Sequence, residues 1–265
     1  SILVAKAAMD KEWNKLISLP WPGKSGKGTF DMAKVEEWSV VKARAKAAGE
    51  TIHVGRVVEL CFLKGSELPD GHPGKTYKGR DVFLGDNVKD QDSKTAVFAD
   101  LGSAPPTMVA ARTEDAISCL PGMSQMVSDA IGAYCQFLLR GLRTFVRLPK
   151  NRWPANWAGM IDPVVPLILA LYGHPDAGGY WEAHCEKELL AIGFEKVENW
   201  RSMYYHDRLK ALLVVYVDDF KLAAPTENHN ELWAAIGARI NIDPPAPPGK
   251  FLGCEHRAFD CPVQD

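Results

Sequence analysis

Two adjacent carboxylates, Asp218 and Asp219, stand at the end of an apolar run that starts at Leu212 and reads Leu-Leu-Val-Val-Tyr-Val before them. A second apolar run begins at Phe220 and continues through Ala224. Short runs of this kind, rich in β-branched residues, read as buried strands, so the pattern predicts a hairpin with the acid pair at its tip. Burying one ionised carboxylate costs on the order of several kcal/mol, and two adjacent ones cost more, so such a pair calls for a cation beside it. Carboxylate oxygens are hard ligands that suit Mg²⁺. Ordinary turn chemistry is the alternative, because Asp tolerates turn conformations and ends strands. The hairpin by itself leaves both readings open.

Other residues could do chemistry with it. Asp129 ends the run Met126-Val-Ser-Asp, and Tyr134 follows five positions on; taken alone, such an Asp reads as a helix N-cap. Lys78 and Arg80 open a short strand and by themselves read as solvated charges. Arg140, Arg143, Arg147, Lys150 and Arg152 form the most basic stretch, with Trp153 and Trp157 beyond it. Positive charge interleaved with aromatics suits a groove that follows a nucleic-acid backbone, although a solvated face is the commoner cause. Gly23-Lys24-Ser25 is excluded as a phosphate loop, since no Gly stands five residues earlier and Gly28 follows Lys27. Cys254, His256 and Cys261 lie close together, but their spacing fits no common zinc finger.

The elements that must position these residues follow from periodicity and breakers. Ala8, Met9, Trp13, Leu16 and Ile17 predict a helix ended by Pro20. Residues 30–48 read as helical or mixed, 52–63 as a strand, and 67–79 as an exposed loop. A helix is expected over 110–119, broken at Pro121-Gly122, then a strand through the basic stretch. Another helix is expected over 180–192, closed by Gly193-Phe194. An amphipathic helix over 227–240 gives way to a Pro-rich break at 243–249.

The chain of 265 residues, 46% hydrophobic and 24% charged, has the composition of a globular protein with room for one large or two smaller domains. A net charge of -2 excludes a wholly basic coat but not a local basic groove. No apolar run reaches membrane-spanning length, and Ser1 to Ala8 does not read as a cleaved signal. Six scattered cysteines without Cys-x-x-Cys suit a reducing compartment.

Tyr216-Val217-Asp218-Asp219 resembles the Tyr-x-Asp-Asp motif of reverse transcriptases, and further blocks follow the order of copia-type retrotransposon polymerases. Lys78, Arg80, Val82 and Gly85 match a Lys-x-Arg-x-Val-x-x-Gly run, and Asp129 with Tyr134 matches the first catalytic motif. Leu171, Tyr172, Gly173, Ala177 and Trp181 match a Leu-Tyr-Gly block, and Phe251-Leu252-Gly253 resembles the hairpin that grips the primer end. Asp176 departs from the pattern, standing where the family has a Gln that packs against nucleotide and template.

The resemblance runs from about Ala8 to His256 and implies an α+β right-hand polymerase, with fingers, a palm built on an antiparallel sheet, and the thumb largely absent. Residues 1–125 would form the N-terminal and fingers region and 126–265 the palm, with fingers elements also between about 150 and 180. The implied activity is RNA-directed DNA synthesis, with nucleotidyl transfer from a dNTP to a primer 3′-hydroxyl. Asp129, Asp218 and Asp219 would be catalytic and would hold two Mg²⁺ ions, with Mn²⁺ as the alternative. Lys78, Arg80, Tyr134 and Asp176 would face the nucleotide, and Tyr216, Arg143, Arg147, Phe251, Leu252 and Gly253 the primer and template. Implied partners are an RNA or DNA template with its primer, dNTPs and other segments of a retroelement polyprotein. A cytoplasmic particle or the nucleus is the expected location, with no membrane. Two rivals remain: a decayed or domesticated retroelement protein that binds nucleic acid without catalysis, which Asp176 and the short C-terminus would suit, and an unrelated metal-dependent nucleotidyltransferase or hydrolase.

Overall fold

The computed structural model describes residues 2–98, 105–257 and 259. In chain order the first elements are α1 (Ile2–Ser18), β1 (Glu36–Glu37), α2 (Trp38–Ala47), β2 (His53–Lys64), β3 (Thr76–Phe83) and β4 (Lys89–Asp90). Then come α3 (Met108–Ser118), β5 (Met123–Asp129), β6 (Thr144–Arg147), β7 (Pro163–Pro166) and α4 (Ala177–Leu190). The last are β8 (Glu195–Lys196), β9 (Met203–His206), β10 (Ala211–Tyr216), β11 (Asp219–Pro225), α5 (His229–Gly237), β12 (Lys250–Phe251) and β13 (Cys254–Glu255). The class is α+β. No described helix is long and apolar enough to cross a membrane.

The chain divides into two compact units, one of Ser1–Leu101 with Tyr134–Tyr180 and the other of Gly102–Ala133 with Trp181–Asp265. The crossing near residue 102 precedes the boundary near 125 read from the sequence. Its cause is the pairing of β5 with β11, which draws the residues from α3 to Asp129 into the second unit.

In the first unit a mixed sheet runs β1-β7-β6-β2-β3, with β4 on β2. Trp13 and Leu16 of α1, spaced for one helical face, join Phe30, Phe83, Val146 and Trp157 in its core. Gly173 has φ +85°, and a Cβ there would lie 2.1 Å from the Phe83 carbonyl oxygen. Only glycine lets the chain after Tyr172 pass that close to β3. The contact is fixed by the Phe83 N–H, which donates to the Tyr172 carbonyl at 2.8 Å. Of the basic stretch only Thr144–Arg147 is strand; a 3₁₀ turn follows at Lys150–Arg152, after Pro149, whose missing N–H suits a strand end.

The second unit holds an antiparallel sheet of order β5-β11-β10-β9-β8. Residues 220 to 224 of β11 are all buried, so both faces of this central strand are covered. On one face α3 contributes Ala110 and Ala111 to a cluster with Met203, Leu212, Val214 and Phe251. The Thr107 side chain caps α3 by accepting from the Ala110 N–H at 3.1 Å. The outer edge of β5 is closed by a later segment: the Ile131 N–H donates to Asn241, the Asp243 N–H donates to Asp129, and Val127 bridges Ala246. That cover removes an exposed strand edge. The helix expected over 227–240 begins as a 3₁₀ turn and is α-helical only over His229–Gly237.

Candidate functional site

Tyr216 and Asp219 are register partners, so Val217 and Asp218 alone form the turn between β10 and β11. Val217 has φ +54°, a conformation that costs a β-branched residue on the order of 1–3 kcal/mol unless its surroundings impose it. Two hydrogen bonds impose it here. The indole N–H of Trp181, a residue 2% exposed, donates to the Val217 carbonyl at 2.6 Å. The Ala130 N–H donates to the Asp218 carbonyl at 2.6 Å.

The last residue of β5 lies directly across from the first residue of β11, so Asp129 faces Asp219 in the ladder, with Asp218 beside them. Three carboxylates from segments distant in sequence thus meet at one corner of one sheet. Asp129 is exposed, and Asp218 and Asp219 are half-buried. Burial pushes the Asp219 carboxyl up to about 6, assisted by the charges of Asp218 and Asp129 and by its hydrogen bond with Asp129. Like charges directly opposite one another weaken a strand pair, and a divalent cation would relieve that repulsion. Carboxylate oxygens are the ligand type such an ion prefers. Among the described residues no three His, Cys, Asp or Glu side chains are grouped so that they could hold a metal ion.

A concavity of about 440 Å³ adjoins the cluster, lined by Tyr216, Asp219, Leu252 and Gly253. Leu252 and Gly253, with φ +48° and +80°, form the two-residue turn between β12 and β13, and Phe251 is buried beneath it. His256 shares a hydrogen bond of 3.0 Å with Asp115, Cys254 is exposed, and Cys261 lies outside the described residues.

The remaining sequence candidates belong to the first unit. Lys78 is exposed on β3, and the Arg80 guanidinium sits 5.5 Å from the Tyr172 ring centroid and 3.6 Å from Glu12. Tyr172 in turn meets Tyr134 edge-on, with ring centroids 4.8 Å apart. Asp176 is buried in the turn before α4, its N–H donating to His174 Nδ1 at 3.2 Å and its carbonyl accepting from Tyr180. Both contacts are made by the backbone; the side-chain Oδ1 is buried without a hydrogen-bond partner among the described residues, and burial pushes the carboxyl up. Arg143 makes a two-pronged ion pair with Glu50, and Arg147 makes one with Asp162 at 2.6 and 2.8 Å. Arg152 bridges Asp10 and Glu59, whereas Arg140 and Lys150 are exposed, the latter 5.8 Å from the Trp153 ring centroid.

Two residues at this site have roles that periodicity alone does not reveal. Trp181 was visible as a motif match, but not as the clamp on Val217. Lys221 is fully buried in the middle of β11, and the signal for it was a lone cation in the apolar run Phe220 to Ala224.

No protein-family model matches the chain, and no curated protein is significantly similar to it. Among solved structures it is similar to telomerase from Candida albicans in complex with a TWJ fragment of telomeric RNA, at 11% identity and a TM-score of 0.35. That alignment covers 76% of this chain and 42% of the telomerase chain, so this chain spans less than half of its length. The likeness is too distant to assign either fold family or activity.

Proposed function

We propose that the protein is the RNA-directed DNA polymerase segment of a copia-type retrotransposon polyprotein, acting as a nucleotidyltransferase on a primed template. The observation that carries this reading is the meeting of Asp129, Asp218 and Asp219 at one sheet corner, beside a concavity walled by Tyr216, Leu252 and Gly253. In the reaction a primer 3′-hydroxyl attacks the α-phosphate of a dNTP and pyrophosphate leaves in line. Two divalent ions, Mg²⁺ or Mn²⁺, held by the three carboxylates would neutralise charge on the attacking and leaving oxygens.

The chain's own residues supply the rest. Ladder pairing and the clamped turn fix the carboxylates before substrate arrives, which is where positional catalysis gains most. The turn at Leu252 and Gly253 holds the primer end beside Asp219. Lys78 and Arg80 contribute positive charge for the triphosphate, with Arg80 steadied by Tyr172. Tyr134, packed against Tyr172, is the aromatic that would exclude a ribose 2′-hydroxyl. Asp176, buried in the turn before α4, would be turned away from the nucleotide.

The test is extension of a DNA primer on an RNA template by the purified chain, with dNTPs and Mg²⁺. Template-directed extension is expected. Retention of template-primer on a filter without extension would favour a non-catalytic binding protein, and incorporation that ignores the template would favour an unrelated nucleotidyltransferase.

A further inference from the structure

Asp219 and Lys221 are two positions apart on β11 and so point to the same face of the sheet. The Lys221 side chain is 0% exposed, an arrangement a lysine tolerates only with its charge fully compensated. Its ammonium donates to the Ala111 carbonyl of α3 at 3.1 Å, lies 3.1 Å from Glu114 Oε2 and pairs closely with Asp115. Gln125 of β5 ties the two acids together, donating to Glu114 and, at 2.8 Å, to Asp115. His256, just past β13, shares a 3.0 Å hydrogen bond with Asp115. On its remaining side the ammonium stands 5.1 Å from the centroid of the Phe251 ring, which is 3% exposed. Phe251 immediately precedes Leu252 and Gly253, which wall the concavity at Asp219.

We infer that Lys221 is a positioning residue, anchored on α3 by Glu114 and Asp115, that holds the β12–β13 turn against the carboxylate cluster through the Phe251 ring. Phe251 and His256 bracket the turn, and both lead back to the same acid-lysine group, so the wall of the concavity is set from beneath. A desolvated cation over an aromatic face is the strongest form of that contact. An apolar residue at position 221 would leave Glu114, itself 0% exposed, without its counter-ion and would give the turn no charged anchor. The turn grips a primer end only under the polymerase reading above, whereas its anchoring by Lys221 is independent of that reading.

The test is amide hydrogen exchange on the full chain carrying Lys221→Met, Phe251→Leu or both. Each single variant should speed exchange in residues 246–256 by about tenfold, while residues 211–225 stay within about twofold of wild type. The double variant should fall short of the product of the singles, because the two share one contact. Exchange in 246–256 within about twofold of wild type in Phe251→Leu would overturn the proposal, as would multiplying effects in the double variant or equal loosening across 211–225. Phe251→Leu leaves the buried ion group intact and decides the matter alone if Lys221→Met does not fold. In extension assays the same variants should raise the KM for primer-template by about tenfold and leave the KM for dNTP unchanged. A wild-type chain that extends no primer would remove the polymerase reading, and the exchange result would still decide the role of Lys221.

Discussion

Asp219 binds its proton more tightly in the folded chain than in the unfolded one, since burial and then the charges of Asp218 and Asp129 raise its carboxyl from 3.8 to about 6. Between those two values the native state holds more protons than the unfolded state, so this group's contribution to stability falls as pH rises. Above the folded value the ionised carboxylate costs the fold on the order of 1 kcal/mol, after allowing for solvent screening at a half-exposed group. Asp219→Asn should therefore melt higher than wild type at neutral pH, and the difference should vanish near pH 4. Mg²⁺ should stabilise wild type more than the variant, by up to about 2.7 kcal/mol at a hundredfold excess over Kd, and so raise its melting temperature further. Melting curves across pH with and without Mg²⁺ check both. A variant that is less stable than wild type at neutral pH without the ion would contradict the charge-crowding account.

The hairpin of β10 and β11 was legible from the apolar run alone, because a strand buried on both faces needs no alternation to be recognised. What the sequence hid is how the turn is held: Val217 at φ +54° and Trp181 on its carbonyl are contacts between segments far apart in the chain. Glycine has no penalty at that backbone angle. Val217→Gly should accordingly raise stability by about 1 kcal/mol while slowing primer extension, since Asp218 loses its fixed direction. Trp181→Phe, which keeps an aromatic ring but removes the donor and part of the buried volume, should lower stability by about 1 kcal/mol or more and also slow extension. Thermal melts and extension rates read both effects. Parallel changes in stability and rate for Val217→Gly would show that the strain plays no part in positioning Asp218. The covered edge of β5 and the buried ion group at Lys221 were equally hidden, for local patterns carry no information on which distant segment supplies a partner.

At the scale of the whole molecule, the mixed and antiparallel sheets agree with the α+β class. Asp129 ends a strand, as the resemblance implied, and caps no helix, which its own residues alone suggested, while Asp219 opens β11 one residue before the apolar run read from Phe220. The unit boundary did not fall where the sequence placed it, because strand pairing and not composition decides it. The basic stretch reads differently once folded: Arg143, Arg147 and Arg152 are engaged by carboxylates, which leaves Arg140 and Lys150 as its exposed cations outside ion pairs among the described residues. Removing either of these two should flatten the plot of log K for template-primer against log salt by about 0.7 to 0.9 units, whereas Arg147→Ala should leave the slope unchanged. Binding titrations at several salt concentrations measure this, and equal slopes for all three variants would assign the stretch to folding alone. The central claim is that Asp129, Asp218 and Asp219 act together on a primed template, and it is tested most directly by Asp129→Asn and Asp218→Asn in primer extension with Mg²⁺. Each should lower the extension rate by a hundredfold or more, corresponding to about 3 kcal/mol of lost transition-state stabilisation, with template-primer affinity held near wild type. Extension within a few-fold of wild type in either variant would contradict the account.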